Sequence, residues 1–430
     1  MSRKRRTKIA LFGHFDGSNF GNECSLQAFL HHVRCHRPNT EIICITTGPE
    51  AAAASYQLKA IPISADFAKS WQPRRPLLKL VRRVFIGIPS ELYRWIDGLV
   101  RLRHVEFLIF PGTGLLSDVW YLTYWGPYSS FTWSLLAKCC GCKVLFVSVG
   151  AGPIYTARGR WLVRSALSLA DFRSYRDHST LQYLKAIGFR ADTDRIYPDL
   201  AFSLPPSAIP RRHSESRPRT VVGLGLMDDP GRLTNSNPSN ETYPAYLENL
   251  ASVVSWLLDQ KSVVRLLIGS LADLPTTREF RALLRQRFPM FDEARVVDEP
   301  ITSVKDLLSQ IASTDIVVAT RFHNVVFALL CEKPVIAISF HHKCASLMNA
   351  MGLSDYCLDI NDLKADQLIE KIRDIRMNAA KLKLLIREKN EEFRKELEEQ
   401  YEFIFEDNAI GKNGPVPMRS SIRLSWPRAW

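Results

Sequence analysis

Ala319-Thr320-Arg321-Phe322-His323-Asn324 sets a permanently charged guanidinium and a titratable imidazole two residues apart, where a strand pattern passes into a helical one. Arg321 supplies a fork suited to a carboxylate or phosphate. His323 can give or take a proton near neutral pH. A helix-capping histidine beside a surface arginine would fit the same six residues. Ser339-Phe340-His341-His342-Lys343 ends the next strand, so Lys343 could enter the same crevice. Arg176-Asp177 follows an earlier strand and could reach it from the opposite side.

Three glycine turns also follow strand patterns. Gly13-His14-Phe15-Asp16-Gly17-Ser18-Asn19-Phe20-Gly21-Asn22-Glu23 feeds a helix N-terminus, whose free N–H groups and dipole suit an anion. Its spacing is neither a dinucleotide fingerprint nor a P-loop, and an ordinary tight turn explains it as well. Gly112 and Gly114 lie in Phe110-Pro111-Gly112-Thr113-Gly114, and Gly150 and Gly152 in Ser148-Val149-Gly150-Ala151-Gly152. Such turns make a small-residue floor that lets a ligand approach backbone closely. Gly17, Asn19, Gly21, Glu23, Gly112, Gly114, Gly150 and Gly152 are therefore candidates for binding an acceptor or anion.

The elements that must position these residues alternate short β-branched runs with longer helical ones, the pattern of parallel sheets built from βαβ units. Strands are expected at Lys8 to Gly13, Glu41 to Thr46, Phe107 to Phe110, Lys143 to Val149 and Phe172 to Tyr175. A second series covers Val221 to Leu226, Val263 to Ile268, Arg295 to Val297, Ile316 to Val318 and Val335 to Ile338. Residues 50–104 read as an insertion with one or two helices. The Pro-rich stretch 203–220 reads as a linker between an N-terminal domain, 1–202, and a C-terminal domain, 221–362. A charged helical segment, 363–406, is expected to fold back across the first domain, ahead of a loose tail at 407–430. The fold class is α/β, two doubly wound Rossmann-like domains facing a cleft, where ligands of such sheets bind.

The chain has 430 residues, 46% of them hydrophobic, enough to bury sizeable cores. Nine scattered cysteines suit a reducing compartment, and no run approaches the ~20 apolar residues of a membrane span. The charged start lacks the apolar run of a signal peptide, so a cytoplasmic location is expected. Cys139 and Cys142 form a single C-x-x-C without a second pair, and His31, His32 and His36 read as surface or partly buried residues, so no metal is expected. The net charge is +13. Basic residues concentrate in 1–8 and 74–103, the latter interleaved with Trp71, Phe85, Tyr93 and Trp95. The tail adds Arg423, Trp426, Arg428 and Trp430. No nucleic-acid module is present, and peripheral contact with an anionic membrane is the partner reading, against a merely solvated face.

Taken in order, GSNFGNE, FPGTGLLSD, SVGAGP, YRDHST, YPDLAF and ATRFHNVVFALLCEKPVIAISFHHK resemble the polysaccharide pyruvyl transferase family over roughly residues 7 to 360. The resemblance implies a glycosyltransferase B-like architecture with acceptor side first and donor side second, and no cofactor, with phosphoenolpyruvate as co-substrate. The acceptor would be a glycan or lipid-linked oligosaccharide in exopolysaccharide biosynthesis. The family's Arg-Leu-His motif, tied to donor binding and catalysis, reads Arg321-Phe322-His323 here. Its Arg-Asp reads Arg176-Asp177, and its lysine after a Ser-Tyr-Asp pattern reads Lys343. Where the family commonly carries Gly-Asp-Glu, this chain has Gly21-Asn22-Glu23. The expected roles are catalysis for His323 and Arg321 and donor binding for Arg321, Lys343 and Arg176. A nucleotide-sugar glycosyltransferase, with Gly223-Leu224-Gly225 near a diphosphate, and a non-catalytic assembly component are the alternatives.

Overall fold

The structure, a computed structural model, describes residues 7–65, 67, 71, 73, 75–112, 114–118, 125–192, 194–210, 219–228, 242–340 and 342–405. Residues 1–6, Arg74, Thr113, 211–218 of the expected linker, His341 and the expected tail lie outside them.

The first sheet is built from β1 (Lys8–Gly13), β2 (Glu41–Thr46), β3 (Lys59–Pro62), β4 (Phe107–Pro111), β5 (Lys143–Val149), β6 (Phe172–Tyr175) and β7 (Arg195–Ile196). Its order is β3-β2-β1-β4-β5-β6-β7, and every pairing is parallel. Helices α1 (Phe20–His36), α2 (Pro49–Tyr56), α3 (Pro76–Arg82), α4 (Ile88–Leu102), α5 (Trp125–Cys139), α6 (Ala157–Ser168) and α7 (His178–Ala186) belong to this half. The second sheet contains β8 (Val221–Leu226), β9 (Val263–Ile268), β10 (Val296–Val297), β11 (Ile316–Ala319), β12 (Val335–Ser339) and β13 (Cys357–Asp359), ordered β10-β9-β8-β11-β12-β13, again parallel throughout. Its helices are α8 (Thr242–Asp259), α9 (Leu274–Arg287), α10 (Val304–Ala312), α11 (Phe322–Leu330) and α12 (His342–Ala350), followed by α13 (Ala365–Met377) and α14 (Ala379–Phe405). In each sheet the order reverses beside the first strand, between β1 and β4 and between β8 and β11, which opens a crevice at the carboxyl ends.

Strand periodicity explains the layers. Ile9 and Leu11 enter a core shared with α1 and the second half, while Ala10 and Phe12 enter one formed with α5 and α6. In that second layer Phe110 stacks on Phe146 at 4.2 Å between ring centroids and meets Phe12 at a tilt at 4.7 Å. The 50–104 stretch holds more than helices, because Lys59–Pro62 pairs with β2 as the edge strand. Only Ile61 of it is buried, so its four residues lack the apolar run that marks the interior strands. The first half of the expected linker is not a free spacer either: Leu204 and Ile209 are buried.

The C-terminal helix does fold back over the first half. Gln400 Oε1 accepts from Ser174 Oγ at 2.7 Å and Ser148 Oγ at 3.3 Å, and Arg37 donates to the Phe405 carbonyl at 2.9 Å. Gln400 is fully buried. Gln400→Leu would leave both serine hydroxyls buried without that acceptor, at on the order of 1–3 kcal/mol each. A drop in thermal midpoint that Glu398→Gln does not reproduce checks this.

Candidate functional site

The first glycine turn is tied to the second half. Asn19 Oδ1 caps α1 by accepting from Gly21 N at 3.1 Å and Asn22 N at 3.3 Å, satisfying orphan donors of its first turn. Gly17 takes the left-handed φ of 78° that the turn requires. Phe20 N then donates to the Gly269 carbonyl at 3.2 Å, and Leu271 N and Ser270 Oγ donate to the Ser18 carbonyl at 2.9 Å each. These bonds bring the N-terminus of α1 against the N-terminus of α11.

There Gly21 meets His323. A Cβ at position 21 would overlap the imidazole itself, so only glycine leaves room for the ring. His323 is 17% exposed, and its Nε2 lies 4.0 Å from Asp199 Oδ2, beyond hydrogen-bond reach. Nε2 is buried and has no hydrogen-bond partner among the described residues. Burial pushes the imidazole down to about 4, against the pull of Asp199 and with the help of Arg176, Arg321 and Lys343. The ring is therefore neutral at pH 7.

Three cations surround it. Arg176 Nη1 donates to Asp199 Oδ2 at 3.0 Å, and its guanidinium lies 4.6 Å from the centroid of the Phe322 ring. A Cβ on Gly150 would come within 2.9 Å of that guanidinium, so this glycine makes room for Arg176. Phe322, the middle residue of Arg321-Phe322-His323, also meets His323 edge-on at 5.1 Å. The aromatic ring thus adds a platform for Arg176 that an aliphatic side chain would not. Arg321 is held by Asp273, which accepts from its Nε at 3.0 Å and Nη2 at 2.6 Å. Lys343 Nζ donates to the Gly152 carbonyl at 3.2 Å. Burial, then the nearby Arg176, lowers the Lys343 ammonium to about 7.

The expected residues therefore divide. His323, Arg321, Arg176, Lys343, Asn19, Gly21, Gly150 and Gly152 converge where the two halves meet. Gly17 and Glu23 build the first turn: Glu23 Oε1 accepts from Gly17 N at 2.9 Å, and its other oxygen accepts from the Tyr56 hydroxyl. Burial raises the Glu23 carboxyl above its ordinary range. Gly112, with φ 55°, packs on Leu200 and Ser25, whereas a Cβ on Gly114 would meet nothing within 4 Å among the described residues. Gly223 and Gly225 make room for Leu267, Thr314 and Asn324 inside the second half, which is a packing role.

Reasoning from sequence gave no role to Asp199, Asp273 or Asn324. Asp199 stands directly after Pro198 at the end of β7, and a lone acid at a strand's carboxyl end was its available signal. Asp273 had none stronger than its place in Ser270-Leu271-Ala272-Asp273. Asn324 is fully buried, with both amide atoms unpartnered among the described residues, between the positions of Gly225 and Gly269.

Among the described residues one cluster, His32, His36 and Glu398, holds ligand-type atoms within 4.8 Å of one another, as a metal site would need. It joins α1 to α14 about 16 Å along α1 from Gly21. Cys140 and Cys142 each donate to a carbonyl of α4 at 3.5 Å and anchor that helix. No helix of the described residues is long and apolar enough to cross a membrane.

Solved structures share the architecture. A putative UDP-N-acetylglucosamine 2-epimerase from Listeria monocytogenes superposes with TM-score 0.61 at 11% identity, covering 94% of this chain and 98% of that one. Anabaena Alr3699/HepE in complex with UDP-glucose gives 0.56 at 12% identity, over 92% and 98%. At such identities the likeness concerns the fold, which is glycosyltransferase B-like. The amylovoran biosynthesis protein AmsJ of Erwinia amylovora is 19% identical over 411 residues, 86% of this chain and 92% of that protein. The model of the polysaccharide pyruvyl transferase family matches residues 19–342, a span that contains His323, Arg176 and Arg321 and ends one residue before Lys343, and the chain belongs to that family.

Proposed function

We propose that this protein transfers pyruvate from phosphoenolpyruvate onto two hydroxyls of a sugar, as a ketal, in a polysaccharide or its lipid-linked precursor on the cytoplasmic side of the membrane. The observation that carries this reading is a neutral imidazole, with an unpartnered Nε2, ringed by Arg176, Arg321 and Lys343. Phosphoenolpyruvate presents a carboxylate and a phosphate, which such cations can bind together. No cofactor is called for.

The reaction forms two bonds from sugar oxygens to the central carbon and breaks its bond to the phosphate oxygen. The methylene carbon gains one proton, and the phosphate leaves with the bonding electrons. Of the two hydroxyl protons, one balances that taken up by carbon and the other leaves with phosphate. His323 Nε2 is suited to relay the first, and Arg176 and Arg321 to stabilise the departing phosphate. Asp199 holds Arg176, and Asp273 holds Arg321.

Incubation with phosphoenolpyruvate and free or lipid-linked glycans tests the reading. The expected result is inorganic phosphate, with a glycan mass gain of one pyruvic acid less one water. Release of a nucleoside diphosphate from a nucleotide sugar instead would assign the protein to the glycosyltransferases. The packing roles of Gly223 and Gly225 do not favour that outcome.

Two variants follow from the geometry. Arg321→Ala would leave Asp273 buried and unpaired, costing about 3–5 kcal/mol, and would confuse folding with binding. Arg321→Lys keeps the charge and loses the fork. It should weaken phosphoenolpyruvate binding about tenfold and leave acceptor binding unchanged, as titration calorimetry can separate. Lys343 sets the pH dependence. With its ammonium lowered to about 7, the free protein loses this charge as pH rises through 7, whereas an anionic donor selects the charged form. Donor affinity should therefore fall with rising pH above 7, by up to about tenfold per unit, and Lys343→Met should abolish the slope.

A further inference from the structure

One helical face of the protein is turned the wrong way for a water-exposed surface. From Pro76 to Leu102 the chain runs through α3, a wide turn at Arg83–Gly87, and α4. On α4 the buried residues are Ser90, Arg94, Gly98 and Leu102, spaced four apart along one side. Arg94 donates to Thr132 Oγ1 at 3.1 Å, and a Cβ on Gly98 would come within 2.9 Å of Leu136. The side packed on α5 is thus largely small or polar. The opposite side repeats Ile88, Leu92, Ile96 and Val100, all exposed, with Ile96 at 64%. Leu77 and Phe85, the latter 73% exposed, extend the same apolar surface onto the preceding turns. More than half of the large hydrophobic residues exposed among the described residues fall within this one segment. A contiguous surface of that kind marks a binding face.

Its charges narrow the occupant. Residues 75–103 carry seven basic side chains (Arg75, Lys79, Arg82, Arg83, Arg94, Arg101 and Arg103) against Glu91 and Asp97, a balance of +5. Arg75, Lys79, Arg83 and Arg103 are exposed. Two copies meeting face to face would set +5 against +5. An anionic lipid surface meets both requirements, with headgroup phosphates for the basic residues and the acyl boundary for the aliphatic ones.

We propose that the Pro76–Leu102 face seats the protein on the headgroup layer of a bilayer containing anionic lipid. The inference stands apart from the donor chemistry, since it concerns lipid alone. It also shifts the basis of membrane contact from charge at 1–8 and in the tail, which lie largely outside the described residues, to an apolar face bordered by charge.

Co-sedimentation of the full chain with phosphatidylcholine vesicles, with and without phosphatidylglycerol, tests it. The protein should pellet with the anionic vesicles, less so at high salt, because screening acts within ~10 Å at 0.1 M. The variant carrying Phe85→Ser, Leu92→Ser and Ile96→Ser should lose about 100-fold or more in partition coefficient, with an unchanged thermal midpoint because all three side chains are exposed. Equal pelleting of variant and parent, or no pelleting of the parent with either vesicle type, overturns the proposal. So does equal binding to both vesicle types, which removes the anionic requirement. Light scattering that finds a dimer made monomeric by the three substitutions would assign the face to a second copy instead.

Discussion

Replacing His323 by Asn should lower kcat by about 10²–10⁴-fold while donor affinity stays within a few fold. The asparagine amide keeps a polar group of similar size beside Asp199 but cannot relay a proton. The binding cations are held independently of the ring, Arg176 by Asp199 and Phe322 and Arg321 by Asp273, so their positions should survive. Phosphate release at saturating phosphoenolpyruvate and acceptor measures kcat, and calorimetry measures the donor. A kcat within tenfold of the parent would remove His323 from the chemistry. Equal loss of both quantities would make it a binding residue only.

Gly21→Ala should be almost as damaging, although position 21 carries no functional group. A methyl there would occupy the space of the imidazole. Gly21 belongs to the first half of the chain and His323 to the second, so the ring must rotate out of place or the halves must part. Overpacking of this kind costs about 1–3 kcal/mol, and displacing the ring forfeits its contribution to catalysis. An activity loss of about 100-fold or more is expected, with a modest fall in thermal midpoint. Gly114→Ala is the control, because its Cβ would meet nothing within 4 Å among the described residues. If Gly21→Ala behaves like Gly114→Ala, the close approach of α1 to His323 is not required for activity.

Much of the architecture was legible in the chain. The β-branched runs at Lys8–Gly13, Glu41–Thr46, Lys143–Val149 and Val263–Ile268 are strands at the expected residues, because interior parallel strands are buried on both faces and read as continuous apolar runs. Short edge strands escaped for the same reason. Lys59–Pro62 and Cys357–Asp359 sit at sheet edges, keep polar residues, and are completed by pairing with the strand that precedes each in the chain. The chemistry of Arg321, His323, Lys343 and Arg176 was likewise visible as residue types at strand ends.

What tertiary structure alone decided is how those groups are held. Residue type gives Arg321 a fork, but only the fold brings Asp273 from 48 positions away to grip it. Residue type gives His323 a pKa near neutrality; burial against Gly21 from the other half of the chain lowers it to about 4. Asp199 gains its role only because β7 ends beside α11. The apolar face of α4 shows the same limit. Periodicity marks it as amphipathic, and an amphipathic helix ordinarily turns its aliphatic side to the core. Arg94 and Gly98 reverse that expectation, since only the packed structure shows that the guanidinium and the glycine, not the isoleucines, are what α5 accommodates. Sequence determines which groups can bind, pair or pack, whereas burial and partner choice depend on distances between residues remote in the chain, and these exist only once it has folded.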